Sequence, residues 1–535
     1  MEEVQDGFWL PAGLREELLG KATWETNWLR GGRLSDEAVP GALAVRWPRL
    51  APDGWRALLD GLQRGRSIPA SQAITRWQAA FAQLGPRLAA DAGTMLPLLA
   101  RCTGYSLQML IAALSQGDLL AVEPLSAALA LRPRWSMVEG WEAMPGLPGQ
   151  VRFYPAARWE RSLARWRREA PLCRPAPPVN LALGFAAGNV PGTSFLIGLL
   201  GSAANSATDH DAATPAVLVH SSRHEPIFGP WVLAAVEAVD PELVAASALM
   251  IWDYGDTVLQ AELLRRGDLL IAAAGDDAIY ALEAQRGRVA PDCRFHQHGH
   301  KVSFSAIAEP TPQAARLATL DSCLWDQNGC LSPRIHFVAG GFDRAEQYAQ
   351  ALAGEMRELA AMLPRGATPR RFVHRVFDSY AALAAHDNGN GPAARVFSAY
   401  DDDFAVVLDR RPWDDATLAR TVNTCVGRVV VVRPVADLME VPQLLRCLLP
   451  ANLQSVSVAM LQTQVLAFAE AVGARGVTAL RSLGRAAFPQ MAYSWDGLLP
   501  VDLGWRRPVG HFTTVEFADL RQEMDATADR WASGM

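Results

Sequence analysis

The chain has 535 residues, half of them apolar and a fifth charged, with a formal net charge of −6. That length exceeds one ordinary core, so two or three domains are expected, and the mild acidity offers no general footprint for nucleic acid. The basic residues are almost all arginine, Lys21 and Lys301 being the two lysines. The seven cysteines show no CxxC pair and no zinc spacing, so a reducing cytoplasm is expected rather than a disulfide framework.

The start, MEEVQDGFWLPAGLREELL, is acidic and lacks the apolar stretch of a signal peptide. Residues 1–50 carry tryptophans at weak periodicity and read as an irregular extension. Residues 55–130 read as helices, with apolar positions three and four apart in SQAITRWQAAFAQLGPRLAA and GYSLQMLIAALSQG. An arginine-rich helix, AARWERSLARWRREA, follows. From Asn180 to Thr208 no residue is charged, and the stretch is long enough to span a bilayer. Gly188, Asn189, Pro191 and Gly192 interrupt it, so it reads as a buried strand, a turn and a buried helix, with no membrane span.

From there strands and helices alternate: VNLALGFAA, AVLVHSS, ALMIWDYG and LLIAAAG are short apolar runs with helical segments between them. This is the pattern of a parallel sheet with helices on both faces, and ligands of such sheets bind beyond the carboxyl ends of the strands. Those ends are GNVPG, HSSRHEP, DYGD and AGDD. A second alternation takes in KVSFSAIAE, RIHFVAGG, a long helix from Asp343, and CVGRVVVVRPVADL. Residues 375–412 include a Gly/Asn-rich turn. The segment SWDGLLPVDLGWRRPVGHF is rich in turn residues, and a charged helix closes the chain. The expected division is an extension at 1–50, an α/β domain with a helical start at 51–305, a second α/β domain at 306–490 and a turn-rich segment at 491–535.

Four places hold candidate chemistry. Cys330, in WDQNGCLSP, sits among turn residues just before a strand, which suits either a working thiol or an inert one. Asn189, in GNVPG, is placed to donate to an oxyanion or to bond its own turn. No G-x-G-x-x-G follows a strand, but Arg223 after AVLVHSS could bind a phosphate bidentately. The run HQHGHK puts His296, His298 and His300 on one face if extended. Gly299 interrupts the run and it holds no carboxylate, so a proton-donating histidine is favoured over a metal site.

In this order, DQNGCLSP, GNVPG, VLVHSSRHEP and SWDGLLPVDLGWRRP resemble the aldehyde dehydrogenase superfamily from about residue 85 to about residue 508. More narrowly, they resemble the acyl-CoA reductases of the bacterial luminescence type. The resemblance implies an α/β fold with a Rossmann-type cofactor domain and an α/β catalytic domain. It assigns Cys330 as the nucleophile that forms an acyl-enzyme, and Asn189, with the Cys330 backbone N–H, as the oxyanion hole. It aligns His220, Ser221 and Ser222 with the segment that grips the adenosine ribose, and Gly275 and Asp276 with the loop near the pyrophosphate. The family usually has lysine where this chain has His220. Arg223 stands where oxidising relatives place a ribose-binding glutamate, so NADPH is the expected cofactor.

The departures point to reduction. Oxidising relatives carry a glutamate base in a strand ending Gly-Gly-Lys; here Gln297 or His298 occupies that position. The glutamate that holds the nicotinamide ribose is also missing from TCVGRVVVV. The resemblance therefore implies reduction of a fatty acyl thioester, on CoA or an acyl carrier protein, to the aldehyde. Such reductases work beside acyl-activating enzymes, and a homo-oligomer is implied. The alternatives are the same fold oxidising an aldehyde, and a non-catalytic protein that keeps the fold.

Overall fold

The computed structural model describes residues 4–534 apart from 32, 39, 117–122, 132–133, 135, 156–173, 208–211, 385–392, 412–425, 489 and 507–509. The expected arginine-rich helix and the Gly/Asn-rich turn lie outside the described residues.

Residues 1–50 are not irregular. Strands β1 (Val4–Asp6), β2 (Thr23–Arg30), β3 (Arg33–Ser35) and β4 (Leu43–Arg49) form a sheet in the order β1-β4-β2-β3. The alternation in β2 is masked because its inward positions are Asn27 and Leu29, a polar residue beside an apolar one. After β1, Trp9 bridges to Leu249 with hydrogen bonds of 2.8 and 2.9 Å in the two directions. One long helix, Ala70–Thr103, runs across the back of the next layer, where the Trp77 indole donates to Ser202 at 3.1 Å.

Three short strands follow: β5 (Glu142–Ala143), β6 (Gln150–Pro155) and β7 (Arg174–Pro175). Next come β8 (Leu181–Phe185), β9 (Ala216–His220), β10 (Ser247–Met250), β11 (Leu269–Ala273) and β12 (Arg294–His298). These five are parallel, in the order β10-β9-β8-β11-β12. Every residue of β8, β9 and β11 is buried, which is why these strands read as unbroken apolar runs. The winding reverses between β8 and β11, and a crevice opens there beyond the strand ends. The uncharged stretch is the expected strand, turn and helix: β8, GNVPG, then the helix Thr193–Ala203. Among the described residues no helix is long and apolar enough to cross a membrane.

The remaining strands are β13 (Val302–Ile307), β14 (Pro333–Ala339), β15 (Ala394–Val396), β16 (Ala405–Asp409), β17 (Val429–Val435), β18 (Leu453–Ala459), β19 (Ala479–Ser482), β20 (Trp505–Arg506) and β21 (Gly510–Val515). A ten-stranded sheet runs β15-β16-β17-β14-β13-β18-β19-β21-β6-β5. The sheets divide the chain differently from the expected boundaries. Strand β13 straddles residue 305, β5 and β6 leave the 51–305 stretch to join the second sheet, and β21 stands inside that sheet. No local pattern announces this, because β6 finds β21 across about 360 residues of chain.

The helix Thr193–Ala203 lies close on β8 because Gly184 has no side chain. A Cβ there would fall 2.5 Å from Ile197 Cγ2 and 2.9 Å from Val219 Cγ2. Gly184→Ala is expected to destabilise the protein by about 1–3 kcal/mol through overpacking, read as a lowered midpoint in urea or thermal unfolding.

Candidate active site

The crevice widens into a cavity of about 610 Å³ between the two sheets, bordered by Asn189, His298, Cys330, Gln454 and Asp496 among others. Three loops meet there: GNVPG after β8, the cysteine loop before β14, and the turn-rich segment before β20.

The cysteine loop is held in an unusual shape. Trp325, Asp326 and Gln327 all have positive φ, at 55°, 48° and 60°. Such backbone costs about 1–3 kcal/mol per residue and persists where the surroundings over-determine it. Here each side chain is anchored. Trp325 is buried edge-on against Tyr105, with ring centroids 5.3 Å apart. The Asp326 carboxylate accepts from Arg428 Nε at 2.9 Å and Gly366 N at 2.9 Å. Both members of that ion pair are 0% exposed. The Gln327 amide donates to Pro333 O and Val429 O and accepts from Val429 N, at 2.8, 2.7 and 2.7 Å. The turn ends at Asn328 and presents Cys330 to the cavity.

Asn189 reaches this loop from the other domain, its Nδ2 donating to Asn328 O at 2.9 Å. Tyr105 donates to Asn189 O at 2.5 Å. The GNVPG turn depends on Gly192, whose φ is 91°, and on the buried Glu225, which accepts from Gly192 N at 3.3 Å and Phe228 N at 2.9 Å. Burial raises Glu225 to about 7, although its backbone donors pull the other way.

Around the sulfur, Gln454 Nε2 lies 3.5 Å from Cys330 Sγ and donates to Asp496 Oδ1 at 2.6 Å. The other oxygen of Asp496 meets His298 Nδ1 at 3.0 Å, and His298 stacks on Trp495 with centroids 3.6 Å apart. Burial pushes the Cys330 thiol up to about 11, and the Asp496 charge adds to it, against the Gln454 hydrogen bond and Arg481. Burial also lowers His298, with Asp496 opposing. Burial alone would raise Asp496, but His298, Lys301 and Gln454 together hold its carboxyl below the ordinary value. At neutral pH the arrangement is a protonated thiol, a neutral imidazole and an ionised carboxylate.

The structure brings Cys330, Asn189 and His298 to one cavity, as it does Ser222 and Gly275. It separates the other expected residues. His220 and Ser221 are 0% exposed and do not border the cavity. The imidazole of His220 lies under Phe185 and Trp252, its Nε2 on Trp252 O at 2.9 Å, and burial lowers it to about 4. The expected ribose contact by these two side chains is therefore corrected: β9 is covered on both faces. Arg223 lies outside the lining, its guanidinium 5.7 Å over the Trp47 ring. Asp276 accepts from His300 N at 2.7 Å, so its carboxylate holds the HQHGHK loop. Gln297 is exposed and does not border the cavity, whereas His298 is buried and does. His296 and His300 also border the cavity, but no metal-ligand cluster occurs among the described residues.

Gln454, Asp496 and Glu225 were not singled out from the sequence. Asp496 stood in a segment noted for its turns and for the resemblance but given no role there, and its φ of 53° is invisible in sequence. Gln454 lies in β18, where a polar residue at a buried position, 1% exposed, was the available signal.

The sequence profile of the family described as acyl-CoA reductase (LuxC) matches residues 160–503. Two long-chain acyl-protein thioester reductases, from Photorhabdus laumondii subsp. laumondii and Photorhabdus luminescens, are each 28% identical over 153 residues. That stretch is 28% of this chain and 31% of each relative, so it spans about a third of their length. Among solved structures, aldehyde dehydrogenase 21 from Physcomitrella patens, in complex with succinate, superposes with a TM-score of 0.57 at 11% identity, covering 92% of this chain and 98% of that one. The Delta-pyrroline-5-carboxylate dehydrogenase from Mycobacterium tuberculosis gives 0.55 at 14% identity, covering 94% and 92%. The fold is that of the aldehyde dehydrogenases.

The left-handed turn yields a stability prediction. Asp326→Ala leaves Arg428 buried and uncompensated, and is expected to cost about 3–5 kcal/mol in denaturant unfolding.

Proposed function

The chain belongs to the acyl-CoA reductase family, and on that premise we propose that it reduces a fatty acyl thioester to the aldehyde through an acyl-Cys330 intermediate. The observation that carries this reading is the sulfur of Cys330 facing the cavity with no free carboxylate beside it among the described residues. Both oxygens of Asp496 are engaged, by Gln454 and by His298. A carboxylate so tied is a poor base for water, so hydrolysis of the acyl-enzyme is disfavoured. Oxidation of an aldehyde on the same sulfur is the second reading, and the same engaged carboxylate argues against its hydrolytic form.

In the first half-reaction the Cys330 sulfur, on losing its proton, attacks the thioester carbonyl and forms a C–S bond. The oxyanion is held by Asn189 and the Cys330 backbone N–H. One N–H of the Asn189 amide is on Asn328 O, and the other serves the oxyanion. Collapse breaks the bond to the carrier thiol, which leaves with a proton. His298 donates its Nδ1–H to Asp496, which leaves Nε2 of the neutral ring with a lone pair to take the proton that Cys330 gives up and pass it to the departing thiol. In the second half-reaction the acyl carbon gains a hydride, a hydrogen with two electrons, and the oxygen takes a proton; the resulting hemithioacetal opens to aldehyde and the Cys330 thiolate, which recovers the hydroxyl's proton.

The residues at the strand ends fit a nicotinamide dinucleotide, which supplies hydride when bound. Gly275 is bare, with no atom within 4 Å of where its Cβ would stand. At Gly188 a Cβ would fall 2.3 Å from Ser222 Oγ, so the backbone turns approach too closely for a side chain. Ser222 and Gly275 border the cavity at this end. Arg223, one residue beyond Ser222 and braced on Trp47, is assigned to a 2′-phosphate, hence NADPH. The acyl donor is an acyl-CoA or an acyl carrier protein, supplied by an acyl-activating enzyme. The cytoplasm and a homo-oligomer complete the reading; the five described cysteines are all free, which fits a reducing compartment.

Intact-protein mass spectrometry after mixing with a medium-to-long acyl-CoA tests the reaction. An adduct on Cys330 that disappears with NADPH while aldehyde forms is expected. Cys330→Ala should lose the adduct but keep nucleotide binding, and Asn189→Ala should slow turnover about 100-fold. Aldehyde formation by Cys330→Ala would sink the proposal. The cofactor assignment is checked separately by titrating nucleotides. Arg223→Glu should weaken NADPH binding about tenfold or more while leaving NADH nearly unchanged.

A further inference from the structure

The side chains around Cys330 form a chain of donors and acceptors with one consistent orientation. We infer that Gln454 is a catalytic residue whose amide N–H is held on the Cys330 sulfur, and that Asp496 is the positioning residue that fixes which end of that amide faces the sulfur. The inference deepens the proposed acyl transfer and rests on Cys330 as its nucleophile.

The two ends of a glutamine amide have nearly the same shape, and only their partners distinguish them. Asp496 Oδ1 stands 2.6 Å from the amide end that faces it. An ionised carboxylate has no hydrogen to give, so an amide oxygen there would meet it lone pair to lone pair. The nitrogen must take that place. It carries two hydrogens: one goes to Asp496, and the other points to Cys330 Sγ, 3.5 Å away. The amide oxygen then turns to Ser303 Oγ at 3.5 Å, whose hydroxyl also meets Cys330 O at 2.9 Å and Ser455 Oγ at 3.0 Å.

The same carboxylate is prevented from rotating away. His298 holds its second oxygen, and Trp495 is stacked on His298. The backbone at Asp496 is left-handed, with the side chain 2% exposed. Ser494 Oγ accepts from Gly497 N at 2.9 Å, which ties down the turn carrying Asp496. Nothing about packing requires a glutamine at position 454; a methionine would fill the same space without the donor. What the amide adds is a hydrogen bond to sulfur that strengthens as charge builds there. That occurs when the thiol loses its proton and again when the hemithioacetal gives back the thiolate. Asp496 works in both directions: its charge opposes the thiolate, while its hold on Gln454 supports it.

Iodoacetamide reads the sulfur directly. Sulfur displaces iodide in proportion to its thiolate fraction, and peptide mass spectrometry separates Cys330 from the other cysteines. The full-length protein is used at pH 8, with Gln454→Met and Gln454→Leu as two independent removals of the donor. Each is expected to slow alkylation of Cys330 about tenfold, corresponding to a rise of one pKa unit. Wild-type rates in both variants would overturn the role of Gln454. Asp496→Asn is then introduced both into the wild-type protein and into the Gln454→Met variant. If the carboxylate acted by charge alone, its removal would speed alkylation by the same factor in both. An orienting carboxylate predicts a gain at least threefold smaller, or a loss, when Gln454 is present, because the amide is then free to turn. Equal factors would overturn the positioning role. The readout needs no thioester, so an expected alkylation pattern without any acyl adduct would remove the proposed reaction and leave Gln454 assigned to the sulfur.

Discussion

The buried ion pair between Asp326 and Arg428 is the constraint on which the site depends. A run of three left-handed residues is unfavourable in any chain of L-amino acids. It survives here because its middle carboxylate is locked to a fully buried guanidinium, and because Trp325 and Gln327 are gripped on either side. Replacing such a pair by apolar residues could keep or raise stability. It would not keep the turn, and the turn sets where Cys330 points. Stability and function thus ask different things of the same two residues.

From that turn the rest of the cavity follows as a meeting of independent parts. Asn189 arrives on a turn whose shape is set by Gly192 and Glu225, and it touches the cysteine loop at a single carbonyl. His298 arrives at the end of β12, the last strand of the five-stranded sheet, and is received by Asp496 from the far end of the chain. These polar contacts do not stand alone: Trp325 of the cysteine loop packs on Tyr105, and one apolar core runs through residues of both sheet layers.

Much of the fold was legible because burial wrote it into the sequence. Strands β8, β9 and β11 are covered on both faces and show as apolar runs; the helix Thr193–Ala203 and the glycines before it were plain for the same reason. Cys330 and Asn189 stood out as polar or reactive residues in turns. What was not legible depends on distance along the chain or on backbone angles. Gln454 and Asp496 meet Cys330 from 124 and 166 residues away, and no local pattern links them. His220 departs from expectation because a resemblance of segments places a residue without saying which way its side chain turns. In β9 it turns into an aromatic pocket. The N-terminal sheet was missed because a buried asparagine occupies a position where an apolar residue would have declared the strand.

The bridge between Trp9 and Leu249 has a consequence for assembly. A parallel sheet ends in two rows of unused backbone groups, each able to recruit a strand from another molecule. Here the chain's own beginning is laid antiparallel against β10, so that margin of the five-stranded sheet is already occupied where the bridge sits. The ten-stranded sheet ends instead in β5, two residues long, and β15, three residues long. Both are antiparallel and short, features that blunt recruitment. Among the described residues there are two large sheets, and the margins named above are either taken or too brief to template a neighbour.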